Sequence, residues 1–281
     1  MPKIAIGVPV YNGQEHLSRT LNSICSQTFC DFNVIISDNA SEDNTAKICA
    51  RFVDADSRFL YVRQKRNIGP IENFRYIINQ CQTKYFVFLA ADDFWYPEYL
   101  EKNIAKLESV PSAICSVSEV VFGSNGNLLR ESNGTFPLEG GQIDKLKKFF
   151  SRLPNDNSRF YGVFRTQVLQ KAFSNNISFH AGDWYLMALT LLSGTHIEVD
   201  VVLMYREAAD YYRYMKQLKS EDVGFLSNAF PVYPMMCAFM RLMNFKQNIQ
   251  VLWPLLRLNY RMFIVYAKCN LFKLRSSASQ K

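Results

Sequence analysis

Asp92 and Asp93 stand side by side at the end of an uninterrupted apolar run, Phe86-Val87-Phe88-Leu89-Ala90-Ala91. A run of that length without a polar side chain reads as a strand buried on both faces, and in an open parallel sheet ligands gather just beyond the carboxyl ends of such strands. Paired hard oxygen donors there suit Mg²⁺ or Mn²⁺ holding phosphates. The same pair also suits an exposed turn closing an ordinary strand. Two earlier segments bear on the choice. Pro9-Val10-Tyr11-Asn12-Gly13 follows the first apolar run, where Pro9 and Tyr11 could flank or stack on a base. Asp38-Asn39-Ala40-Ser41-Glu42-Asp43-Asn44-Thr45 follows the second and sets Asp38 where a carboxylate can accept the imide N–H of uracil. Singly each has a plainer reading, Tyr11 as packing and Asp43-Asn44 as a helix N-cap, which is favoured for that pair. Together, all at strand ends, they are residues that a nucleotide site could use.

The elements that must position these residues alternate along the first 110 positions. Strand-like runs at Lys3 to Val10, Phe32 to Ile36, Leu60 to Val62 and Tyr85 to Leu89 are separated by helix-period segments. Those segments carry Leu17, Leu21 and Ile24; then Ile48 and Phe52; then Ile71, Phe74, Ile78 and Cys81. Strands alternating with helices at this spacing predict βαβ units, and hence an α/β fold with a Rossmann-like, mostly parallel sheet. From Pro111 to Gly162 the pattern loosens into a Gly- and Asn-rich stretch that suggests hairpins and loops walling a second substrate. Periodicity returns at Phe164 to Phe173 and at Asp183 to Leu192.

The chain has 281 residues, 48% of them hydrophobic, which is enough for one large domain or one domain with an appended segment. Seven scattered cysteines without a CxxC pair predict reduced, mostly buried thiols, and three histidines are too few for a His/Cys zinc site. The sequence enters a strand almost at once, without the regions of a signal peptide, so a cytoplasmic location is expected. The net charge of +7 is unevenly placed: residues 1 to 200 hold 20 Lys and Arg against 21 Asp and Glu, residues 201 to 281 hold 12 against 4. All of the excess is C-terminal, and a nucleic-acid surface over the whole protein is not implied.

With Pro9-Val10-Tyr11-Asn12, Asp38-Asn39-Ala40-Ser41 with Asp43 and Thr45, Asn67-Ile68-Gly69 with Asn73, Asp92-Asp93 and Asp183-Trp184 in this order, residues 1 to 210 resemble the family 2 glycosyltransferases. These are inverting enzymes with the A-type nucleotide-diphospho-sugar transferase fold. The resemblance implies that Asp38 reads the base, that Arg66 lies near the base or diphosphate, and that Asp92 and Asp93 meet ribose and metal. It implies Mn²⁺ or Mg²⁺ as cofactor, a nucleotide-sugar donor, most readily uridine-linked, and a glycan or lipid-linked acceptor. The common family spelling would put an acid at position 90, where this chain has Ala90, so metal binding would rest on the adjacent pair. A family histidine that often follows a Tyr-Arg pair is also missing: Tyr205-Arg206 is followed by Glu207, Ala208, Ala209 and Asp210. Arg206 then either meets the diphosphate or sits in a salt bridge.

Inverting transfer needs a base on the acceptor hydroxyl and a stabilised leaving group. Asp183, at the start of an apolar helix, reads from its residue type as an N-cap or first-turn acid. With Tyr161-Gly162-Val163-Phe164-Arg165 before it, as in these transferases, the base is the favoured role. Trp184 could offer a face to the acceptor sugar or pack in the core, and His180 reads as a loop or capping residue. After Pro254, Leu255 to Arg275 can form one helix on which Arg257, Arg261, Lys268 and Arg275 fall within about 40°. That basic stripe suits an anionic membrane surface, on the inner face of a membrane, or is a solvated stripe on a helix packed against the catalytic layer or another subunit. The expected organisation is a nucleotide-sugar-binding half over 1–110, an acceptor-binding and catalytic-base half over 111–210, and a helical segment over 211–281. Two other functions stay open: a non-catalytic glycan- or membrane-binding relative of a transferase, and a sugar-nucleotide pyrophosphorylase, which would want more glycines after the first strand.

Overall fold

A computed structural model describes residues 1–124, 127–132, 134–153, 156–177, 179, 181–208 and 230–278, with backbone alone from 265 onward. The alternating apolar runs become strands β1 (Ile4–Val10), β2 (Phe32–Asp38), β3 (Phe59–Arg63) and β4 (Tyr85–Phe88), parallel and side by side in the order β3-β2-β1-β4. Helices α1 (Leu17–Cys25), α2 (Thr45–Ala55) and α3 (Pro70–Asn79) make the crossovers. The register sets Val10 opposite Asp38 and Asp38 opposite Arg63, so the strand-end loops begin at one level.

Beyond β4 the sheet continues through β8 (Val163–Arg165), β6 (Ala113–Ser124), β9 (Thr195–Glu207) and β5 (Phe94–Trp95), while β7 (Asn127–Glu131) folds back on β6. β8 is antiparallel to both β4 and β6, and β6 is parallel to β9. Strands β1, β2, β3, β4, β6 and β9 therefore share one direction, and the sheet is mixed but mostly parallel. This topology decides where the site forms. The carboxyl ends of β4 and β9 share an edge, and because β8 runs backwards the residues just before it lie at that edge too.

Both faces of the sheet are covered. Tyr85, Val87 and Leu89 pack with α1 and with α4 (Tyr99–Ser109), whereas Phe86 and Phe88 pack with α3, α6 (Thr166–Phe173) and α7 (Gly182–Leu191). β1 lies close under α3 at Gly7, where a Cβ would come within 2.7 Å of Ile77 and 2.8 Å of Phe86. Gly7→Ala overpacks this contact and is expected to cost about 1–3 kcal/mol, read as a lower midpoint in urea unfolding at unchanged slope. Of the cysteines, Cys49, Cys81 and Cys115 are buried, but Cys25 and Cys30 lie on the surface; no disulfide occurs among the described residues.

The segment expected to be hairpins and loops is more ordered than its composition suggests. It holds the twelve-residue β6 and a helix, α5 (Gln142–Arg152), besides the β6–β7 hairpin. β6 was hard to read because it is buried on both faces with Ser116 and Ser118 among its inward residues. The C-terminal helix also differs. After α8 (Tyr233–Met240), α9 runs from Phe245 to Ala278 with Pro254 inside it, ten residues ahead of the expected start. Proline removes one helical hydrogen bond, and burial of Val251, Leu255, Leu258 and Met262 against the body of the protein holds the helix through it. Among the described residues no helix is long and apolar enough to cross a membrane.

Candidate active site at the carboxyl edge of the sheet

Three loops leaving β1, β2 and β3 are laced together by side chains of the sequence motifs. Asn12 adopts a left-handed backbone at φ 51°, donates its N–H to Ser41 Oγ at 2.9 Å, and accepts the Glu42 N–H at 2.9 Å. Gly13 N–H donates to Thr45 Oγ1 at 2.8 Å, and Gln14 N–H to Asp43 Oδ2 at 3.0 Å. Asp43 also accepts the Thr45 N–H at 2.9 Å and so holds the α2 start from the residue before the N-cap Asn44, whose own side chain makes no capping hydrogen bond. Asn39 bridges to the third loop, donating to Asn67 Oδ1 at 2.9 Å and accepting the Ile68 N–H at 2.8 Å. Buried Asn73 ties α3 to Ser37 through two hydrogen bonds. The motif residues thus build a rim of loops at this edge of the sheet, with Tyr11 half-exposed, Arg66 exposed and Pro9 next to the end of β1.

Asp38 is fully buried in this rim. Its Oδ1 accepts the Ser41 N–H at 2.8 Å and its Oδ2 the Tyr61 hydroxyl at 2.7 Å, with the half-exposed Arg63 side chain 3.9 Å away. Burial and the neighbouring carboxylate hold the Tyr61 phenol protonated, well above its ordinary pKa. Two of the roughly four lone-pair positions of the carboxylate are therefore filled from within.

The adjacent pair that ends the β4 run is split by the fold. Asp92 is exposed, whereas Asp93 is turned inward and buried. Asp93 Oδ2 pairs with Arg206 Nε at 3.1 Å and Oδ1 accepts the Glu207 N–H at 2.9 Å, both from the end of β9. Burial pushes the Asp93 carboxyl up to about 7 against the downward pull of Arg206. The two carboxylates expected to share a metal point apart here, Asp92 outward and Asp93 onto Arg206. The pair sits beyond β4 in a turn closed by the Asp93 N–H on the Ala90 carbonyl at 3.1 Å, and the inward member needs a cation from the protein to be buried at all. Of Arg206's two readings the structure bears out the salt bridge. No group of three or more His, Cys, Asp or Glu that could hold an ion occurs among the described residues. Asp92 is thus one hard donor at this edge, and one carboxylate with phosphate oxygens and water meets the ordinary requirement of Mg²⁺.

From Arg206 a polar chain runs to Asp183. Arg206 Nη1 donates to Ser158 Oγ at 3.2 Å and lies 3.8 Å from Asp156 Oδ1, and its guanidinium stacks 4.5 Å from the Tyr161 ring centroid. Asp156 accepts the Ser158 N–H at 2.8 Å and holds the short 3₁₀ turn Ser158–Tyr161 that leads into β8. Asn157, between them, donates its Nδ2 hydrogen to Asp183 Oδ2 at 2.8 Å. Asp183 is the acid in the first turn of α7, entered through Ala181 in a left-handed conformation. Burial raises its pKa, and the Asn157 hydrogen bond opposes the rise. On the other side, Arg19 of α1 donates to the Asp92 carbonyl at 2.7 Å and pairs with Glu207 at 2.9 Å, bracing the loop after β4.

Asp156, Asn157, Ser158 and Arg19 were not singled out in the sequence; the polar run Asn155-Asp156-Asn157-Ser158 was the available sign. Trp184, considered for the acceptor, is only 7% exposed and packs in the core. α7 is apolar nearly all round, so the residue after Asp183 is drawn inward. His180 and Asp210 lie outside the described residues.

Known proteins bear on what this edge does. The model of Glycosyl transferase family 2 matches residues 5–175. A Campylobacter jejuni protein, GalNAc(5)-diNAcBac-PP-undecaprenol beta-1,3-glucosyltransferase, is 26% identical over 236 residues, 83% of this chain and 71% of its own length. An uncharacterized glycosyltransferase of Methanocaldococcus jannaschii is 30% identical over 152 residues, 53% of this chain; the chain spans about half, 51%, of that relative. Among solved structures, the mannosyltransferase PcManGT of Pyrobaculum calidifontis with GDP-Man and Mn²⁺ superposes with a TM-score of 0.62 at 14% identity, covering 100% of this chain and 76% of its own. S. aureus TarS 1-349 with UDP-GlcNAc superposes at 0.59 and 16%, covering 90% and 79%. At such identities the likeness is one of fold.

Proposed function

The chain belongs to glycosyl transferase family 2, and from that membership we propose that it is an inverting glycosyltransferase moving a sugar from a UDP-linked donor to a hydroxyl of a glycan or lipid-linked acceptor. One observation carries the reading. A half-buried carboxylate of raised pKa, Asp183, is joined through Asn157, the Ser158 turn and Arg206 to the strand end that presents Asp92. A base for the acceptor and a donor edge are thus held on one rigid polar chain.

In this reading Pro9, Tyr11 and Arg66 border the nucleotide, and Asp38 accepts the uracil imide N–H on a lone pair that Ser41 and Tyr61 leave open. The exposed Arg63 side chain swings aside as the base enters. Asp92 meets the ribose and contributes the protein's carboxylate to Mn²⁺ or Mg²⁺. When bound, such an ion would neutralise charge developing on the diphosphate leaving group. Arg206 acts from behind, fixing Asp93 and thereby the direction in which Asp92 projects. Asp183 takes the proton from the acceptor hydroxyl as that oxygen attacks the anomeric carbon. Support for the lipid-linked acceptor comes from the Campylobacter relative, whose name specifies an undecaprenol-linked substrate. A cytoplasmic enzyme peripheral on the inner face of a membrane fits that acceptor.

Thermal denaturation with UDP or GDP, with and without Mn²⁺, tests the donor site. A ligand at about 100 times its Kd adds about 2.7 kcal/mol, or roughly 5–10 °C for a domain of this size. UDP is expected to stabilise more than GDP, and Mn²⁺ to add to UDP. Asp92→Ala should lose the Mn²⁺ increment and, with its ribose contact gone, part of the stabilisation by UDP alone; equal stabilisation by both nucleotides would count against the uridine site.

A further inference from the structure

The C-terminal helix α9 presents a second apolar face, opposite to the one that packs on the protein. Phe245, Ile249, Trp253, Leu256, Tyr260 and Phe263 recur at helical spacing and fall within an arc of about 80° at 100° per residue. All six are exposed, Phe245 at 81%, Trp253 at 73% and Tyr260 at 61%. Val251, Leu255, Leu258 and Met262 lie on the far side of the helix and are buried. The outward stripe extends roughly 28 Å, about 1.5 Å for each residue from 245 to 263. Single exposed apolar residues are ordinary, but a continuous stripe of this length marks an interaction surface.

Its borders name the partner. Lys246 and Arg257 flank the stripe on one side, and there α9 meets α5, so that Lys147, Lys148 and Arg257 line a shallow cleft of about 420 Å³ with Trp253 at its edge. No Asp or Glu occurs from residue 223 to residue 281, which hold eight Lys and Arg. A second copy seated on this face by a two-fold axis would bring cations against cations, with no carboxylate on either helix to pair with them. Aromatic residues beside lysine and arginine instead match the boundary between lipid headgroups and acyl chains.

We propose that this face of α9, with the cationic cleft beside α5, docks flat on an anionic phospholipid bilayer. The apolar stripe enters the headgroup boundary while Lys147, Lys148, Lys246 and Arg257 meet lipid phosphates. The inference deepens the lipid-linked acceptor proposed above. Of the basic stripe expected from sequence it keeps Arg257, whereas Arg261 donates to the Ser151 and Leu153 carbonyls and so caps α5. Lys268 and Arg275 lie where side chains are not described.

Sedimentation of the full chain with sucrose-loaded vesicles tests the proposal, using 30% phosphatidylglycerol in phosphatidylcholine, or phosphatidylcholine alone. The chain should sediment with the anionic vesicles at least tenfold more readily than with the neutral ones. Trp253→Ser/Tyr260→Ser and Lys148→Gln/Arg257→Gln should each reduce that binding at least tenfold, with unchanged circular dichroism and unchanged stabilisation by UDP. Failure to sediment, or equal binding to both vesicles in all variants, would overturn it. So would a dimer in analytical ultracentrifugation that the Trp253→Ser/Tyr260→Ser variant dissociates without any vesicle binding. Competition by 10 mM inorganic phosphate that abolishes binding entirely would reduce the site to a free-anion cleft and likewise overturn it. Because UDP stabilisation is read on the same samples, loss of the transferase reading would be seen separately.

Discussion

Asp183→Asn is expected to retain UDP-induced stabilisation while lowering sugar transfer by about 10²- to 10⁴-fold, the usual contribution of a positioned general base. The substitution keeps the size of the side chain and removes the group that can take a proton. Unimpaired turnover would remove Asp183 from the chemistry and leave it as a first-turn acid of α7. The pH dependence gives a second reading of the same residue. A base works deprotonated, so kcat/KM falls as pH drops through its pKa, and burial sets that pKa above the ordinary carboxylate value. The Asn157 N–H favours the charged form. Asn157→Ala should therefore move the acid limb of the kcat/KM profile to higher pH while leaving the plateau less affected than Asp183→Asn does. An acid limb that stays in place in Asn157→Ala would mean that another group sets it.

What could be read from the sequence was what is local in the chain. The four early strands and the turns after them are specified by apolar runs and by short-range turn chemistry, as where Asp43 accepts the Thr45 N–H and Asn67 the Gly69 N–H, whereas Asn12 and Asn73 tie one strand-end segment to another 30 or more residues away. Arg206 and Asn157 reach the site only because β9 runs parallel to β4 and β8 runs against it. No periodicity in the sequence records strand direction across such separations. The split of Asp92 from Asp93 is set by a turn closed by the Asp93 N–H on the Ala90 carbonyl and by the pairing of Asp93 with Arg206 from the distant β9, and an apolar run ending in two acids records neither. Trp184 was ambiguous for a different reason. A helix apolar on every face, as α7 is, gives no stripe from which an outward direction can be told. α9 misled in the same way, because one of its two apolar faces is core and the other is surface.

Arg206→Met puts the polar chain between the two halves of the site under the severest strain. Methionine roughly fills the volume but leaves the Asp93 carboxylate buried beside only the Glu207 N–H. Removing one partner of a buried ion pair costs about 3–5 kcal/mol, because the remaining charge is uncompensated. At roughly 2–4 °C for each kcal/mol, the melting temperature should fall by about 6–20 °C. The loss has a sign in pH. Asp93 already sits at about 7, above the usual carboxylate value of 3.8, and without Arg206 its folded-state pKa rises further. A carboxyl raised on folding binds its proton more tightly in the folded state, so its contribution is greatest at low pH and is lost as pH rises through the raised value. The gap between variant and parent should accordingly be wide at pH 8 and narrow toward pH 5. Adding Asp93→Asn to Arg206→Met should recover part of the loss, giving a coupling energy that the separate changes lack. A gap that is flat with pH, or a double variant no better than the single one, would show that the Arg206–Asp93 pair is not what fixes this edge, and that Asp92 takes its direction from the Arg19 contact to its carbonyl instead.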